Sequence, residues 1–182
     1  LEVYETRRSV NFFEKGKEIP QDVLENIINK AVLAPSAFNL QPWEIVVVKS
    51  KENKEKLCKL SNNQEKILDS SLTLMIVGNK NGFATDSPVW DEMLVSMGGN
   101  KEAVAGAQGA AGFLYGSSEE RKIKFAESNG GLLAMSIMNM ATYYGVDSHP
   151  MSGADIEGIE RDFELGEEKN LVMLIVLGYF DK

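Results

Sequence analysis

Hydrophobic and polar residues alternate along this chain in two patterns, one typical of helices and one typical of strands. Apolar residues in 21–33 recur at helical spacing with polar residues on the other face, and Pro20 and Pro35 bracket the predicted helix. A second helix is predicted at residues 52–60. Short, apolar runs predict strands at 44–48, 72–77 and 171–177, and the β-branched run at 44–48 is expected to be buried on both faces.

A further apolar segment, residues 132–144, has helical spacing and is hydrophobic almost all round. Gly145 follows it, where a glycine in the left-handed conformation commonly ends a helix. We therefore expect a buried helix, either at the centre of the domain or in a subunit interface. Residues 82–129 have a weaker pattern, and glycines dilute a helical composition at 103–114. That region is either a variable element over a pocket or a surface helical hairpin without function.

Strands separated by helices, without regular strand-helix alternation, predict an α+β layered domain rather than a doubly wound one. The chain has 182 residues, of which 43% are hydrophobic, enough for one domain with a substantial core. No internal repeat or low-complexity linker is visible. We therefore expect residues 1–182 to form a single domain.

Charge and composition exclude several classes of function. A formal net charge of -8 argues against nonspecific binding to nucleic acid, which needs a basic surface. No apolar run is long enough to span a bilayer and no signal-like segment is present, so we expect a cytoplasmic protein without a membrane partner. No cluster of His, Cys, Asp and Glu has the spacing of metal ligands, so no metal site is predicted.

The single cysteine and the single histidine limit the available chemistry. Cys58 rules out an internal disulfide, and its helical surroundings favour a small, partly buried thiol over a nucleophile. His149 would have to serve as the base of any serine or cysteine triad, and no partner pattern supports one. We interpret His149 as a structural loop residue.

The stretch from Pro35 to Trp43 joins a predicted helix to a predicted strand and holds two side-chain amides between prolines. Asn39 and Gln41 each offer a donor and an acceptor. Such a loop suits a flat ring whose edge alternates carbonyl oxygens with N–H groups, as the flavin ring does. The alternative is a loop whose amides satisfy buried backbone groups.

Near the start of the chain, Arg7-Arg8-Ser9 combines two guanidinium groups with a hydroxyl, a set that can hold a terminal phosphate. By itself the pair is more often simply two solvated basic residues. Read with Ala34-Pro35-Ser36-Ala37 and the Asn-x-Gln-Pro-Trp that follows, it resembles the FMN-dependent nitroreductase family over nearly the whole chain. The resemblance implies a layered fold, with a mixed, mainly antiparallel sheet flanked by helices and a buried central helix.

The resemblance also implies a homodimer that binds FMN at its interface. Arg7 and Ser9 would hold the phosphate, and Arg8 would lie along the ribityl chain or the pyrimidine edge. Asn11 stands where many relatives carry a lysine or arginine at the pyrimidine end. The following residues of one subunit would reach the flavin of the other: Pro35, Ser36, Ala37, Asn39 and Gln41.

Three later segments complete the implied site. Asn63 and Lys66 would contact the ribityl and pyrimidine portions, although Lys66 could equally be a solvated lysine. Asn129, which precedes the predicted buried helix, would bond the ribityl hydroxyls. The last segment comprises Pro150 against the ring, Met151, and the backbone amides of Ser152 and Gly153 directed at the O4/N5 edge. In the family, the chain continues past the last strand into a basic tail that completes the phosphate site. Three alternatives are open here: Lys182 serves instead, a tail is missing from the sequence, or Arg7 and Ser9 hold the phosphate with backbone amides alone.

The function implied is an FMN-dependent oxidoreductase. NAD(P)H would reduce the flavin, and the flavin would reduce a nitroaromatic, a quinone or a similar acceptor. Both would be transient ligands, because the chain has no Gly-x-Gly dinucleotide fingerprint. No side chain is assigned as a catalytic acid or base, since the flavin carries the chemistry. The alternative is a flavin-binding protein without NAD(P)H turnover: a flavin carrier, a sensor, or a dehalogenating or flavin-degrading variant.

Overall fold

A computed structural model describes residues 2–181 of the chain. The elements follow in this order: α1 Glu2–Thr6, α2 Gln21–Ala31, a 3-10 turn Ala37–Asn39, β1 Trp43–Val48, α3 Lys51–Leu60, α4 Lys66–Asp69, β2 Leu72–Asn79, α5 Val89–Ser96, α6 Lys101–Tyr115, α7 Glu119–Tyr143, β3 Asp147–Met151, α8 Ile156–Asp162 and β4 Lys169–Gly178. The three predicted strands and the helices at 21–33 and 52–60 are present. Their ends differ from the predicted ones by a few residues.

The four strands form one sheet in the order β1-β2-β4-β3, and each neighbouring pair is antiparallel. The expected α+β fold with a mainly antiparallel sheet is therefore confirmed, and its parallel part is a single bridge between Ser9 and Ser148. β3 is a strand where the sequence predicted a loop. It contains Pro150, which is tolerated because β3 is an edge strand of this sheet.

Both faces of the sheet are covered by helices, since alternate side chains of a strand point to opposite faces. Leu74 of β2 and Ile175 of β4 pack with residues of α2 and α7. Met75 and Val176, their neighbours along the strands, pack on the other side with α3, α4 and α8 residues such as Leu57. The result is a three-layered arrangement in which β2 and β4 are largely buried on both faces. The prediction that 44–48 is buried on both faces was wrong, because Glu44 is exposed and Val47 is 42% exposed in β1, at the edge of the sheet.

The long helix α7 begins well before the predicted buried segment. It spans 25 residues, and Asn129 lies inside it rather than ahead of it, so the predicted position of Asn129 was wrong. Gly130 allows α7 to lie close to β4, because a Cβ there would stand only 2.8 Å from Cγ2 of Val172. Gly145 adopts a φ of +74° just after the helix, which confirms the predicted left-handed termination.

α5 and α6 cover a small core of their own, formed with the end of the 3-10 turn and the start of α7. Trp90, Val104, Ala111 and Phe125 are buried there together with Leu40. The segment with the weak sequence pattern is thus a helical pair that packs on the 35–43 loop. It positions that loop rather than standing apart as an isolated hairpin.

Candidate functional site

The segment that carries Arg7 and Ser9 lies along the outer edge of β3. Ser9 forms a parallel bridge with Ser148, and the backbone N–H of Val10 donates to the Ser148 carbonyl at 3.2 Å. Arg8 is exposed, and its Nη1 donates to the Arg7 carbonyl at 2.8 Å. Within residues 2–181 neither arginine forms an ion pair. Both guanidinium groups are therefore free to meet an anion.

Lys66 stands at the start of α4 and reaches across to this segment. Its Nζ donates to Oδ1 of Asn11 at 2.7 Å and lies 3.2 Å from Nε2 of His149. Burial lowers the pKa of Lys66 from its ordinary value. The contacts favour a positioned cation over the solvated lysine that the sequence left open.

His149 takes part in this arrangement, so its interpretation as a structural loop residue was incomplete. It lies in β3, and its Nδ1 is 2.8 Å from the Val10 carbonyl. Burial lowers the pKa of His149, and the charge of Lys66 lowers it further, against an opposing effect of the bond to Val10. The clues in the sequence were that His149 is the only histidine and directly precedes the Pro-Met-Ser-Gly segment.

The turn after α3 meets the segment that follows β3. The side-chain amides of Asn62 and Gln64 both donate to the carbonyl of Gly153, each at 3.2 Å. Asn63 between them is exposed and adopts a φ of +55°, a conformation that asparagine tolerates. Ser152 is exposed on the surface. The predicted residues 63, 152 and 153 are thus brought together.

Met151 differs from its neighbours because its side chain belongs to the core. It is only 5% exposed and packs with the hydrophobic cluster beneath the sheet. Its side chain cannot contact a ligand on the surface, so only the backbone of Met151 is available. Pro150 is half-buried beside it, paired with Ile175 of β4. We call residues 7–11, 63, 66 and 150–153 the first half-site.

The loop between α2 and β1 has an unusual backbone. Phe38, Asn39 and Gln41 have φ values of 52°, 55° and 47°, in the left-handed region that costs a residue with a β-carbon about 1 kcal/mol or more. Two side chains hold the backbone in this form. Ser36 Oγ accepts from the Gln41 N–H at 2.9 Å, and Asn129 Oδ1 accepts from the Ala37 N–H at 2.8 Å.

The side-chain amides of Asn39 and Gln41 do not satisfy buried backbone groups, as the alternative interpretation of this loop required. Within the described residues, neither side chain makes a hydrogen bond, while Ser36 and Asn129 satisfy the backbone of the loop. Asn39 is exposed and Gln41 is half-buried. Their donors and acceptors are therefore available to a ligand. We call residues 35–41 the second half-site.

Asn129 is buried in α7, with 4% of its surface exposed. Its Nδ2 donates to the Phe125 carbonyl at 2.7 Å, while its Oδ1 accepts from Ala37. In the folded chain this amide connects α7 to the second half-site. That positioning contact was not part of the expected role, which was a direct bond to the ribityl hydroxyls.

No hydrogen bond in residues 2–181 joins the two half-sites. A cleft of about 650 Å³ contains Ala37 and Asn129 together with Tyr115, Phe125 and Leu132, but none of the first half-site residues. Another cleft of about 620 Å³, near α8 and the start of β4, contains none of the predicted site residues. One copy of the chain therefore does not close a pocket around all of the residues that the sequence singled out.

The outer face of α7 is apolar and open in the single chain. Leu132 is 46% exposed and Met135 is 37% exposed, although the sequence predicted a helix buried on all sides. Both lie within two turns of Asn129, where the second half-site is attached. The opposite face of α7, with Leu133 and Ile137, lies in the core, so the expected position at the centre of the domain is confirmed for that face alone.

The single cysteine, possible metal ligands and possible membrane spans are the other features of residues 2–181 on which the sequence made predictions. Cys58 is buried as predicted, and burial raises the pKa of its thiol. Residues 2–181 hold no group of His, Cys, Asp and Glu that could bind a metal ion. In the same part of the chain, every helix falls short of the length and apolar character needed to cross a bilayer. Lys182, suggested as a phosphate ligand, lies outside the described residues.

Comparison with known proteins gives concordant results. The profile of the nitroreductase family matches residues 4–179. MhqN of Bacillus subtilis (strain 168), provisionally named an NAD(P)H nitroreductase, is 32% identical over 94% of this chain and 84% of its own. The "CLA biosynthesis enone reductase" of Lactiplantibacillus plantarum is 29% identical over 94% of this chain and 81% of its own. A provisionally assigned nitroreductase from Exiguobacterium sibiricum, solved in complex with FMN, superposes with a TM-score of 0.86 at 25% identity, covering 100% of this chain and 88% of its own.

Proposed function

Since this chain belongs to the nitroreductase family, it is an oxidoreductase, and we propose that it binds FMN and passes electrons from NAD(P)H to a nitroaromatic, quinone or similar acceptor. The observation that carries the proposal is the fixed cation of the first half-site. Lys66 is held by Asn11 and His149 within reach of the segment 150–153. A positioned cation of this kind matches the edge of a flavin on which negative charge accumulates during reduction.

The donors of the first half-site fit FMN from end to end. Arg7, Arg8 and Ser9 supply charge-assisted and hydroxyl donors for the phosphate, in a chain whose net charge is -8 and which otherwise repels anions. Asn63 offers an exposed amide, free of side-chain hydrogen bonds in the described residues, for the ribityl hydroxyls. Lys66, held by Asn11 and His149, would meet the ring.

Bound FMN supplies a ring that accepts a hydride and gives it up again. The residues of this chain bind and orient that ring. Lys66 would stabilise the negative charge of the reduced form, and the backbone N–H groups of Ser152 and Gly153 would donate to the polar edge of the ring. Pro150 packs against it, and no side chain needs to act as an acid or a base.

We propose that the functional unit is a homodimer with FMN at the interface. Asn39 and Gln41 have free amides but no bond to the first half-site of their own chain, so a second copy would supply them. The exposed apolar face of α7, with Leu132 and Met135, would be covered when that copy docks. The dimer would therefore bring two half-sites together at each flavin.

The test begins with cofactor and assembly. Purified protein should carry a flavin spectrum or take up added FMN, at one FMN per chain, and should have the mass of a dimer in solution. Arg7→Ala should weaken FMN retention. The control Arg161→Ala removes an arginine whose side chain bonds only Asp162 within the described residues, and this variant should retain FMN. A protein that takes up no FMN would refute the proposal, and a monomer that retains FMN would refute the shared site.

The second step is anaerobic turnover. With NADH or NADPH the bound flavin should bleach, and adding a nitroaromatic, a quinone or an enone should restore the oxidised spectrum. The enone is included because the Lactiplantibacillus plantarum relative is named an enone reductase. A flavin that stays oxidised with both nucleotides would instead support the flavin-binding alternative without NAD(P)H turnover.

A further inference from the structure

His149 lies between a backbone carbonyl and an ammonium group, and this fixes which of its nitrogens carries the proton. The Val10 carbonyl, 2.8 Å from Nδ1, can only accept, so Nδ1 must carry the hydrogen. In the neutral ring Nε2 then has a free lone pair. That lone pair faces Nζ of Lys66 at 3.2 Å and accepts a hydrogen bond from it.

The same contact is impossible when the ring is protonated. Both nitrogens of an imidazolium are donors, so Nε2 would turn a hydrogen and a positive charge towards Nζ of Lys66. Two cations at this distance repel each other. Lys66 would keep Asn11 as its remaining partner and would lose one side of its support.

We propose that His149 is a positioning residue. As the neutral Nδ1–H imidazole, His149 holds the Lys66 ammonium in the flavin site, and the protonated ring releases Lys66. The inference rests on the proposed FMN site and adds a pH-dependent element to it. The three groups come from three separate parts of the chain, the N-terminal segment, α4 and β3. The contact therefore also connects these parts of the first half-site.

Few charged groups other than Lys66 approach the ring. The stretch of β4 that pairs with β3 opposite His149 is apolar, from Leu174 to Leu177. The ionisable residues of the other surrounding elements are Arg7 and Arg8 before Val10, Glu65 and Asp69 around α4, and Asp147 on β3. Asp69 pairs with Lys15 and Asp147 accepts from the Phe180 N–H, so neither carboxylate bonds the imidazole.

The ionisation of the ring agrees with this geometry. Burial and the Lys66 charge together lower the pKa of His149 below its ordinary value, so the neutral form prevails at neutral pH. Protonation, and with it the release of Lys66, then requires a pH below the range in which an ordinary histidine titrates.

Nuclear magnetic resonance can read the ring directly, because the chain contains a single histidine. The full chain, produced without a histidine tag and labelled with ¹⁵N-histidine, should show the Nδ1–H tautomer at neutral pH. Lys66→Met should raise the pKa of His149, because it removes the neighbouring charge. Lys59→Met, which removes an exposed lysine of α3, is the matched control and should leave that pKa unchanged. An Nε2–H tautomer, or no shift with Lys66→Met, would overturn the inference.

FMN affinity tests the consequence for the site. His149→Gln can place an amide oxygen near the position of Nε2 but cannot titrate, whereas His149→Phe offers no acceptor. We expect His149→Phe to weaken FMN binding about five-fold at neutral pH, which corresponds to about one hydrogen bond, and His149→Gln to bind within about two-fold of the wild type.

The pH dependence separates the two variants further. Wild-type affinity should fall more steeply between neutral and acidic pH than that of His149→Gln, which retains only the titration of the FMN phosphate. If the wild type binds FMN and His149→Phe matches it at both pH values, the positioning role is refuted. If the wild type binds no FMN at all, the proposed function fails instead, so the two failures are distinguishable.

Discussion

Replacing Asn129 with alanine should loosen the second half-site from α7. The change removes two hydrogen bonds of a side chain that is 4% exposed, one to the Ala37 N–H and one to the Phe125 carbonyl. The Phe125 carbonyl keeps its helical partner, whereas the Ala37 N–H is left unsatisfied. At about 1 kcal/mol for each neutral bond, we expect a loss of about 2 kcal/mol in the free energy of unfolding, a factor of roughly 30 in the equilibrium.

Asn129→Ala should also loosen the second half-site locally, in addition to lowering the free energy of unfolding. Three residues of the loop are held in left-handed conformations, so a loop without its support can relax and expose its amides. Hydrogen exchange should show faster exchange of the Ala37 amide. The control is Asn139→Ala in the same helix, whose buried Oδ1 has no partner in the described residues, so the change breaks no bond there. Equal unfolding free energies for the two variants, with the Ala37 amide equally protected, would refute this reasoning.

Three further predictions concern cofactor, interface and packing. Arg7→Ala should weaken FMN retention more than Lys66→Ala, while Lys66→Ala should lower the flavin reduction potential more; equal effects in equilibrium dialysis and redox titration would reject this division of roles. Leu132→Glu should shift the dimer towards monomers in sedimentation and reduce FMN content, because it places a charge on the apolar face of α7. Gly130→Ala should destabilise the protein by about 1–3 kcal/mol through the clash with Val172, whereas Gly109→Ala, which meets nothing within 4 Å, should stabilise it slightly; thermal unfolding that ranks them the other way would contradict the packing argument.

The sequence was most informative where burial decides the pattern. β2 and β4 are largely covered on both faces, so the runs 72–77 and 171–177 are apolar except for Thr73 and the strands could be predicted. β3 was missed because Asp147-Ser148-His149-Pro150 has low strand propensity, and its pairing with β4 supplies what the local sequence lacks. The pairing of β3 with β4 is a tertiary contact, and the local sequence pattern carries no information on it.

The same distinction explains why the sequence misplaced the start of α7 and did not show the contacts of Lys66. The first half of α7 is charged and ends in Gly130-Gly131, so it looked like a connection, although the first glycine is required by the close approach to Val172. Lys66 and His149 stand 83 positions apart, and their contact depends on how α4 packs beside β3. Periodicity carries no information on such pairs. The family motifs named candidate site residues but not the bonds between them.

The position of β4 in the sheet has a consequence for how the protein is made. This strand is the last of the four along the chain, yet it lies between β2 and β3. As the ribosome delivers the chain, β3 therefore has no strand to pair with until residues 169–178 emerge, and the first half-site on its edge must wait as well. We expect FMN capture to wait until residues 169–178 are available to pair with β3, and folding to be slowed by the closure of the long loops that bring β4 between its partners.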